Sequence, residues 1–414
     1  MTNTAFKNAQ KQILQVYEYL RKEWVSYNFI EEFLVPDRII EVHIPIKMDN
    51  WELKIFTAYR SQHKNILWPY KWGIRFHQNV SKDEVMALST WMSIKTSVVG
   101  LPLWWWKWGI IVNPKELSFK ELEKLSRWYV RKLYKYLWPD FDIPAPDVNT
   151  NPQIMAWMVD EYSKLTWTWR PWAFTWKPIE LGGSAWRNIA TSLWWLYVLE
   201  KYCEIKKEDL KNKKIIIQWA GNAGLNFAKL VVEKWAKIIA ISDSKWWIYD
   251  EDGLNIEKVE KYKKDKKSVI DIEWYKQISN QEILELKCDI LVLAALENQI
   301  TLDNVENIKA NVILELANGP TIPEADEVLF KKWIIVIPDI LANAWWVTVS
   351  YFEQVQWNQN FYWHEEEVFH KLKVIMDKST EDVINLWDKL NIDLRKASYI
   401  ISLKRQYDAW KYLN

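Results

Sequence analysis

The sequence predicts an α/β fold in two domains, and three observations carry that expectation. The chain has 414 residues, more than a single hydrophobic core ordinarily organises. Strand-like runs between Arg38 and Arg60 give way to alternating helical and strand-like stretches. Lys213 to Asp243 then reads as strand, tight turn, helix and second strand, the unit from which doubly wound parallel sheets are built.

The composition narrows the function classes. With 55 basic and 54 acidic residues the net charge is +1, which argues against a nucleic-acid footprint. The N-terminus, Met1 to Leu20, is polar with no apolar core, and no long uncharged apolar run follows, so neither a signal peptide nor a membrane span is expected. Cys203 and Cys288 stand far apart without a CxxC pattern, as suits a reducing cytoplasm. The anomaly is 31 Trp against 9 Gly. Ordinary glycine usage would supply roughly 29 residues here. The tryptophans also sit where turns demand glycine, as they would if the gene reads UGA as glycine but had been translated as tryptophan. The competing expectation is a truly tryptophan-rich protein with an aromatic binding surface.

Taken in order, residues 5–24 show helical spacing at Ile13, Val16, Tyr17 and Leu20. Strands follow at Ile39–Ile46 and Leu53–Tyr59, joined by Asp49-Asn50-Trp51-Glu52, a hairpin turn if residue 51 is glycine. Read with glycine at 68 and 72, Trp68 to His77 becomes G-P-Y-K-G-G-I-R-F-H and carries Lys71. A helical run from Glu84 to Val98 carries Lys95. Leu101 to Ile110 becomes L-P-L-G-G-G-K-G-G-I, a loop whose backbone can approach a small ligand and present Lys107 to it. Residues 114–137 read as helix. Prolines 144 and 146 then fix an extended segment that holds Asp147. Trp157, on an apolar helix face, and Trp363 are expected to be genuine.

In the second half, Ile215-Ile216-Ile217-Gln218 runs into Trp219-Ala220-Gly221-Asn222-Ala223-Gly224 and a helix. With glycine at 219 this is G-x-G-x-x-G between strand and helix, the Rossmann-type dinucleotide signature. Its first glycine makes the turn, its second admits a pyrophosphate and its third packs helix on strand. Asp243, ending the strand Ile238–Ser242, sits where an acid commonly binds the adenine ribose. Ser242, Ser244 and Lys245 could instead accept a 2′-phosphate, so NAD and NADP both stay open. Strands near 289–293, 312–316 and 334–337 end in loops carrying Asn318 and Asn343, candidates for the ligand rim. The five histidines show no metal-ligand spacing, and no metal site is expected.

The ordered strings around Lys71, Lys107, Asp147, Trp219 and Asn343 resemble the glutamate dehydrogenase family, which includes relatives acting on leucine, valine or phenylalanine. The resemblance spans nearly the whole chain. It implies a substrate-binding and oligomerisation domain over 1–185, a dinucleotide-binding domain over 186–363, and 364–414 packing back on the first domain. It further implies reversible NAD- or NADP-dependent conversion of L-glutamate to 2-oxoglutarate and ammonium, in a homohexamer. Lys107 would be the catalytic lysine, its pKa lowered by Lys71, Lys95 and partial desolvation, and Asp147 the proton shuttle. Lys95 would hold the α-carboxylate, and Lys71 with Ser350 the side-chain carboxylate. Thr191 and Asn343 would meet the nicotinamide end, with residues 219–224, Asp243 and Asn318 completing the cofactor site. A dehydrogenase for apolar amino acids, or a catalytically dead member if the tryptophans are real, is the alternative.

Overall fold

The computed structural model describes all residues except 1–3, 65, 67–69, 103, 138–141, 184–186, 220, 244–245, 267–268, 270–274 and 414. The chain forms two compact units. One comprises residues 1–185, 347–364 and 399–414, and the other 186–346 and 365–398.

The first unit is built on five strands: β1 (Arg38–Lys47), β2 (Leu53–Gln62), β3 (Tyr70–His77), β4 (Trp104–Ile111) and β5 (Asp142–Pro146). Their order is β1-β2-β4-β3-β5. β1, β2 and β4 pair antiparallel, whereas β3 runs parallel to both β4 and β5. The β1–β2 hairpin closes at Lys47 opposite Leu53, with Trp51 in the turn. Lys107 lies within β4 rather than on a loop. The segment is drawn into the sheet because Ile110 is fully buried and Gly109 lies so close to Val80 that a Cβ there would stand 2.4 Å from a Val80 methyl. Helices Phe119–Leu133 and Pro152–Thr166 cover the sheet, and Leu125, Tyr129, Met155 and Tyr162 pack with Phe56, Ile74 and Phe76 in one core.

The second unit holds β6 (Lys214–Gln218), β7 (Lys237–Ser242), β8 (Trp247–Tyr249), β9 (Lys276–Ile278), β10 (Cys288–Leu293), β11 (Ala310–Glu315) and β12 (Ile335–Ile337). Their order is β12-β11-β10-β6-β7-β8-β9. The first five strands in that order are parallel, and β8 and β9 add an antiparallel edge. β6, β10 and β11 are near-continuous apolar runs, as expected of strands covered on both faces. The C-terminal helices divide differently from the expectation. Residues 365–398 belong to the second unit, because the helix Glu365–Leu390 packs on the helix Arg187–Lys206 and Arg395 is tied to acids of the same unit. Residues 347–364 and 399–414 belong to the first. Among the described residues no helix is long and apolar enough to cross a membrane, and no cluster of His, Cys, Asp and Glu could hold a metal ion.

The backbone places an unusual demand on tryptophan. Seven tryptophans have left-handed φ: Trp24, Trp51, Trp167, Trp176, Trp219, Trp235 and Trp333. The other described non-glycine residues there are five asparagines and Lys207. Trp24, Trp235 and Trp333 repeat one geometry. Each donates its N–H three residues back, and the next residue donates five residues back: Val25 to Leu20, Ala236 to Val231, Ile334 to Leu329. That is the helix-terminating motif whose left-handed position is ordinarily glycine. Their side chains are 89%, 75% and 82% exposed, so packing gives no reason for an indole. Other tryptophans differ: Trp108 and Trp345 are buried with ordinary φ, and their backbones make no demand for glycine.

Left-handed φ costs a side-chain-bearing residue about 1–2 kcal/mol. Trp333→Gly is therefore expected to stabilise the protein by about 1 kcal/mol. Trp157→Ala, at a buried helical site, should destabilise it by about 3 kcal/mol or more. Urea unfolding of both variants checks the opposite signs.

Candidate functional site

The first unit buries several lysines, and the three expected at the site are among them. Lys71 and Lys107 are 1% exposed, and Lys95, on the helix Lys82–Val98, is 3% exposed. Taking an ammonium group out of water is unfavourable unless charge partners answer it or the group sheds its proton. Lys107 Nζ pairs with Asp147 Oδ2, and Asp147 Oδ1 lies 3.8 Å from the Arg75 guanidinium. Arg75 in turn pairs with Glu84. Burial holds the Lys107 pKa well below the ordinary lysine range. Arg75 pushes it further down, Glu84 works against that, and Lys95 adds a smaller downward push. Lys71 is not among the charges that shift Lys107, and Arg75 is the largest of those that do.

Asp147 is fixed by a short turn. Its carboxylate accepts the Val148 N–H (2.7 Å), its own N–H donates to Thr150 Oγ1 (2.6 Å), and the Thr150 hydroxyl reaches the Ile74 carbonyl (2.9 Å). Gly73, on β3, makes this approach possible. A Cβ there would stand 2.7 Å from both Asp147 Cβ and the Pro146 carbonyl oxygen.

Lys71, near the start of β3, donates to Thr175 Oγ1 at 2.5 Å. Burial lowers its pKa to about 7, with Glu353 raising it and Lys177 lowering it. Thr175 is anchored through its N–H to the Pro144 carbonyl on β5 (3.0 Å). The next residue, Trp176, donates its indole N–H to Ser350 Oγ at 2.5 Å. Lys71 and Ser350 are thus linked through the segment Thr175-Trp176, and the indole lies on the hydroxyl.

In the second unit the loops after β6, β10, β11 and β12 lie at the carboxyl end of the parallel strands, where such sheets bind ligands. Gly221 caps the helix Asn222–Glu233. A Cβ on Gly224 would stand 2.4 Å from the Trp219 carbonyl oxygen, so only glycine allows the close crossing of turn and helix. Trp219 has φ 87°, and its indole nitrogen would lie 2.9 Å from a Cβ on Gly221. Ala223 accepts the Ser192 hydroxyl (3.0 Å), one residue after the buried Thr191. Asp243 directly follows β7 and is buried; its two oxygens accept the N–H groups of Trp246 (2.9 Å) and Val269 (2.7 Å). Asn343 donates to the Leu316 carbonyl (2.9 Å) and to Asn318 Oδ1 (3.4 Å), which brings those two expected residues together. Ala220, Ser244 and Lys245 lie outside the described residues, as does the Asn222 side chain.

Sequence reasoning missed the hub beneath this rim. Buried Arg395 pairs with Glu315 (2.8 Å), Asp326 (2.7 Å) and Asp339 (2.9 Å). Asp339 also accepts the Gly319 N–H (3.1 Å), next to Asn318. Burial raises Glu315 to about 7 and Asp326 to about 6 against the pull of Arg395. Arg75, Lys177 and Glu353 were missed as well. Lys177 meets Glu353, and Arg75 meets Asp147, across long sequence separations that leave no local pattern.

Comparison with known proteins follows this geometry. Residues 36–164 match the Glu/Leu/Phe/Val dehydrogenase dimerisation-domain family, and 182–412 match the glutamate/leucine/phenylalanine/valine dehydrogenase family. An NAD-specific glutamate dehydrogenase of Staphylococcus aureus is 44% identical over 386 residues, 93% of this chain and 92% of that protein. A catabolic NAD-specific glutamate dehydrogenase of Bacillus subtilis is 43% identical over 414 residues, 98% and 97% of the two chains. The crystal structure of glutamate dehydrogenase from Peptoniphilus asaccharolyticus superposes with a TM-score of 0.88 at 39% identity, covering 100% of both chains. That of a hetero-hexameric glutamate dehydrogenase from Thermus thermophilus gives 0.88 at 30% identity over 97% of each.

Arg395→Met strands three buried acids and is expected to cost about 3–5 kcal/mol. The loss should be larger at pH 8 than at pH 5. A carboxyl raised on folding, as Glu315 is from 4.5 to about 7, stabilises the native state below the lower value and loses that contribution as pH rises through the window. Urea unfolding at the two pH values reads both effects.

Proposed function

The chain belongs to the glutamate/leucine/phenylalanine/valine dehydrogenase family, and on that premise we propose that it is a glutamate dehydrogenase, interconverting L-glutamate and 2-oxoglutarate plus ammonium with NAD. The observation that carries the choice of substrate is Lys71, a buried ammonium hydrogen-bonded to Thr175. An apolar amino-acid side chain would leave such a charge without a counter-charge, whereas the glutamate carboxylate supplies one. The relatives named NAD-specific support NAD over NADP. So does the buried Asp243 carboxylate at the end of β7, because a second negative charge there disfavours a 2′-phosphate.

The turn after β6 fits a dinucleotide at Gly221 and Gly224, and residue 219 fits one only as glycine, since the indole lies beside Gly221. A nicotinamide held there would supply the acceptor for the hydride of the substrate α-carbon. The rest is the work of this chain. Lys107, its pKa pushed down by burial, takes a proton from the water that adds to the resulting iminium carbon. Asp147, paired with it, takes a proton from the substrate ammonium before hydride leaves and returns it to the amine of the carbinolamine. As the carbon–nitrogen bond breaks, the hydroxyl proton passes to the departing ammonia and the carbonyl is left. Lys95 holds the α-carboxylate, and Lys71 with Ser350 holds the side-chain carboxylate. Thr191, Asn318 and Asn343 line the cofactor end, with the turn 219–224. The protein works in the cytoplasm as a homohexamer.

The same proposal includes the reading of most tryptophans as glycine, with UGA the recoded codon. Its support is the left-handed backbone at seven of them and the seat of two indoles. Trp176 lies on Ser350, where substrate must go, and Trp219 lies in the pyrophosphate turn. With glycine at both, these places are clear.

In protein carrying glycine at these positions, Lys107→Ala is expected to abolish turnover of glutamate while NAD binding, followed by fluorescence titration, is retained. Near-normal turnover would remove Lys107 from the chemistry.

A further inference from the structure

Lys177–Glu353 is a buried ion pair of the first unit that the proposed mechanism does not use. Lys177 and Glu353 are 0% and 2% exposed, and Lys177 Nζ lies 3.1 Å from Glu353 Oε1. Lys177 also donates to the Phe174 carbonyl (2.6 Å), and both Glu353 oxygens accept the Trp176 N–H (3.1 and 3.0 Å). Glu353 sits three residues after Ser350 on the helix Trp345–Asn358. The pair therefore fastens the segment Thr175–Lys177, which touches Lys71, to the helix that carries Ser350. Lys71 lies in the field of both partners.

Resting on the reading of Lys71 as the group that meets the substrate side-chain carboxylate, we propose that Lys177 and Glu353 are positioning and specificity residues for that carboxylate. Lys177 neutralises Glu353, so that Glu353 does not take Lys71 as its own counter-ion. The three groups then carry one net positive charge, matched by one carboxylate on the substrate. Without Lys177 the count falls to zero and an acidic side chain loses its place. Without Glu353 two buried ammonium groups face each other, and Lys71 gives up its proton at lower pH. Among the described residues the Tyr362 hydroxyl also lies in the field of Glu353; burial, and then Glu353, help keep it protonated.

The test is steady-state kinetics with glutamate and with norvaline, whose side chain ends in a methyl where glutamate has a carboxylate. Variants are made in the chain as its native source translates it. Lys177→Met is expected to raise the glutamate KM about tenfold or more while the norvaline kcat/KM stays within about threefold. The double variant Lys177→Met, Glu353→Gln restores the net charge and should recover most of the glutamate KM. Glu353→Gln alone should shift the rise of glutamate KM with pH to lower pH. Equal losses on both substrates, or a double variant no better than Lys177→Met, would reduce the pair to a structural strut and overturn the proposal. If Lys177→Met does not fold, an unshifted pH profile in Glu353→Gln overturns it instead. Lys71→Leu separates the two levels. Glutamate activity falling far more than norvaline activity supports the Lys71 reading on which the inference rests, and equal losses would remove that reading itself.

Discussion

Burying lysine amines, Lys71, Lys95 and Lys107 among them, in one small α/β unit is the constraint that most of the local structure answers. Each ion taken out of water is opposed by several kcal/mol. The chain meets this with partners in a fixed order: Asp147 on Lys107, with Arg75 and Glu84 behind it, and Thr175 on Lys71, with Glu353 and Lys177 behind it. The backbone is arranged to let these partners in. Gly73 admits Asp147, β5 anchors Thr175, and β4 carries Lys107 into the sheet. The outcome is that burial pushes the pKa values of Lys71 and Lys107 down, the direction that general acid–base chemistry at neutral pH requires.

The second unit answers a different constraint, that of holding several loops still at the carboxyl end of a parallel sheet. Arg395 does this from below, joining the end of β11 to Asp326 and Asp339. Asp339 and Asn343 pass that order on to Gly319 and Asn318 at the rim. Three acids around one guanidinium are not fully neutralised by it, which is why burial keeps Glu315 and Asp326 high in pKa.

What the sequence disclosed was local. The hairpin at Asp49–Glu52, the strand runs of both sheets and the turn at 219–224 each carry a periodicity or a turn residue within a few positions. Lys107 looked like a loop residue because the string around it, read with glycine, has no strand pattern; only pairing with β2 and β3 makes it a strand. The ion pairs behind the site were invisible, since Lys177 meets Glu353 and Arg395 meets Glu315 across separations that no periodicity reports. The tryptophan anomaly was legible in composition and in motif strings. Yet Trp24, Trp167, Trp235 and Trp333 stood in no motif and became noticeable only through their φ angles.

One measurement bears directly on the account as a whole: peptide mass spectrometry of the protein from its native source, on the tryptic peptide Thr96 to Lys107. Glycine masses at 104, 105 and 106 are the predicted result, giving a lysine strand that a small substrate can approach. Tryptophan masses there would contradict the account, and with it the assignment of catalysis to this chain.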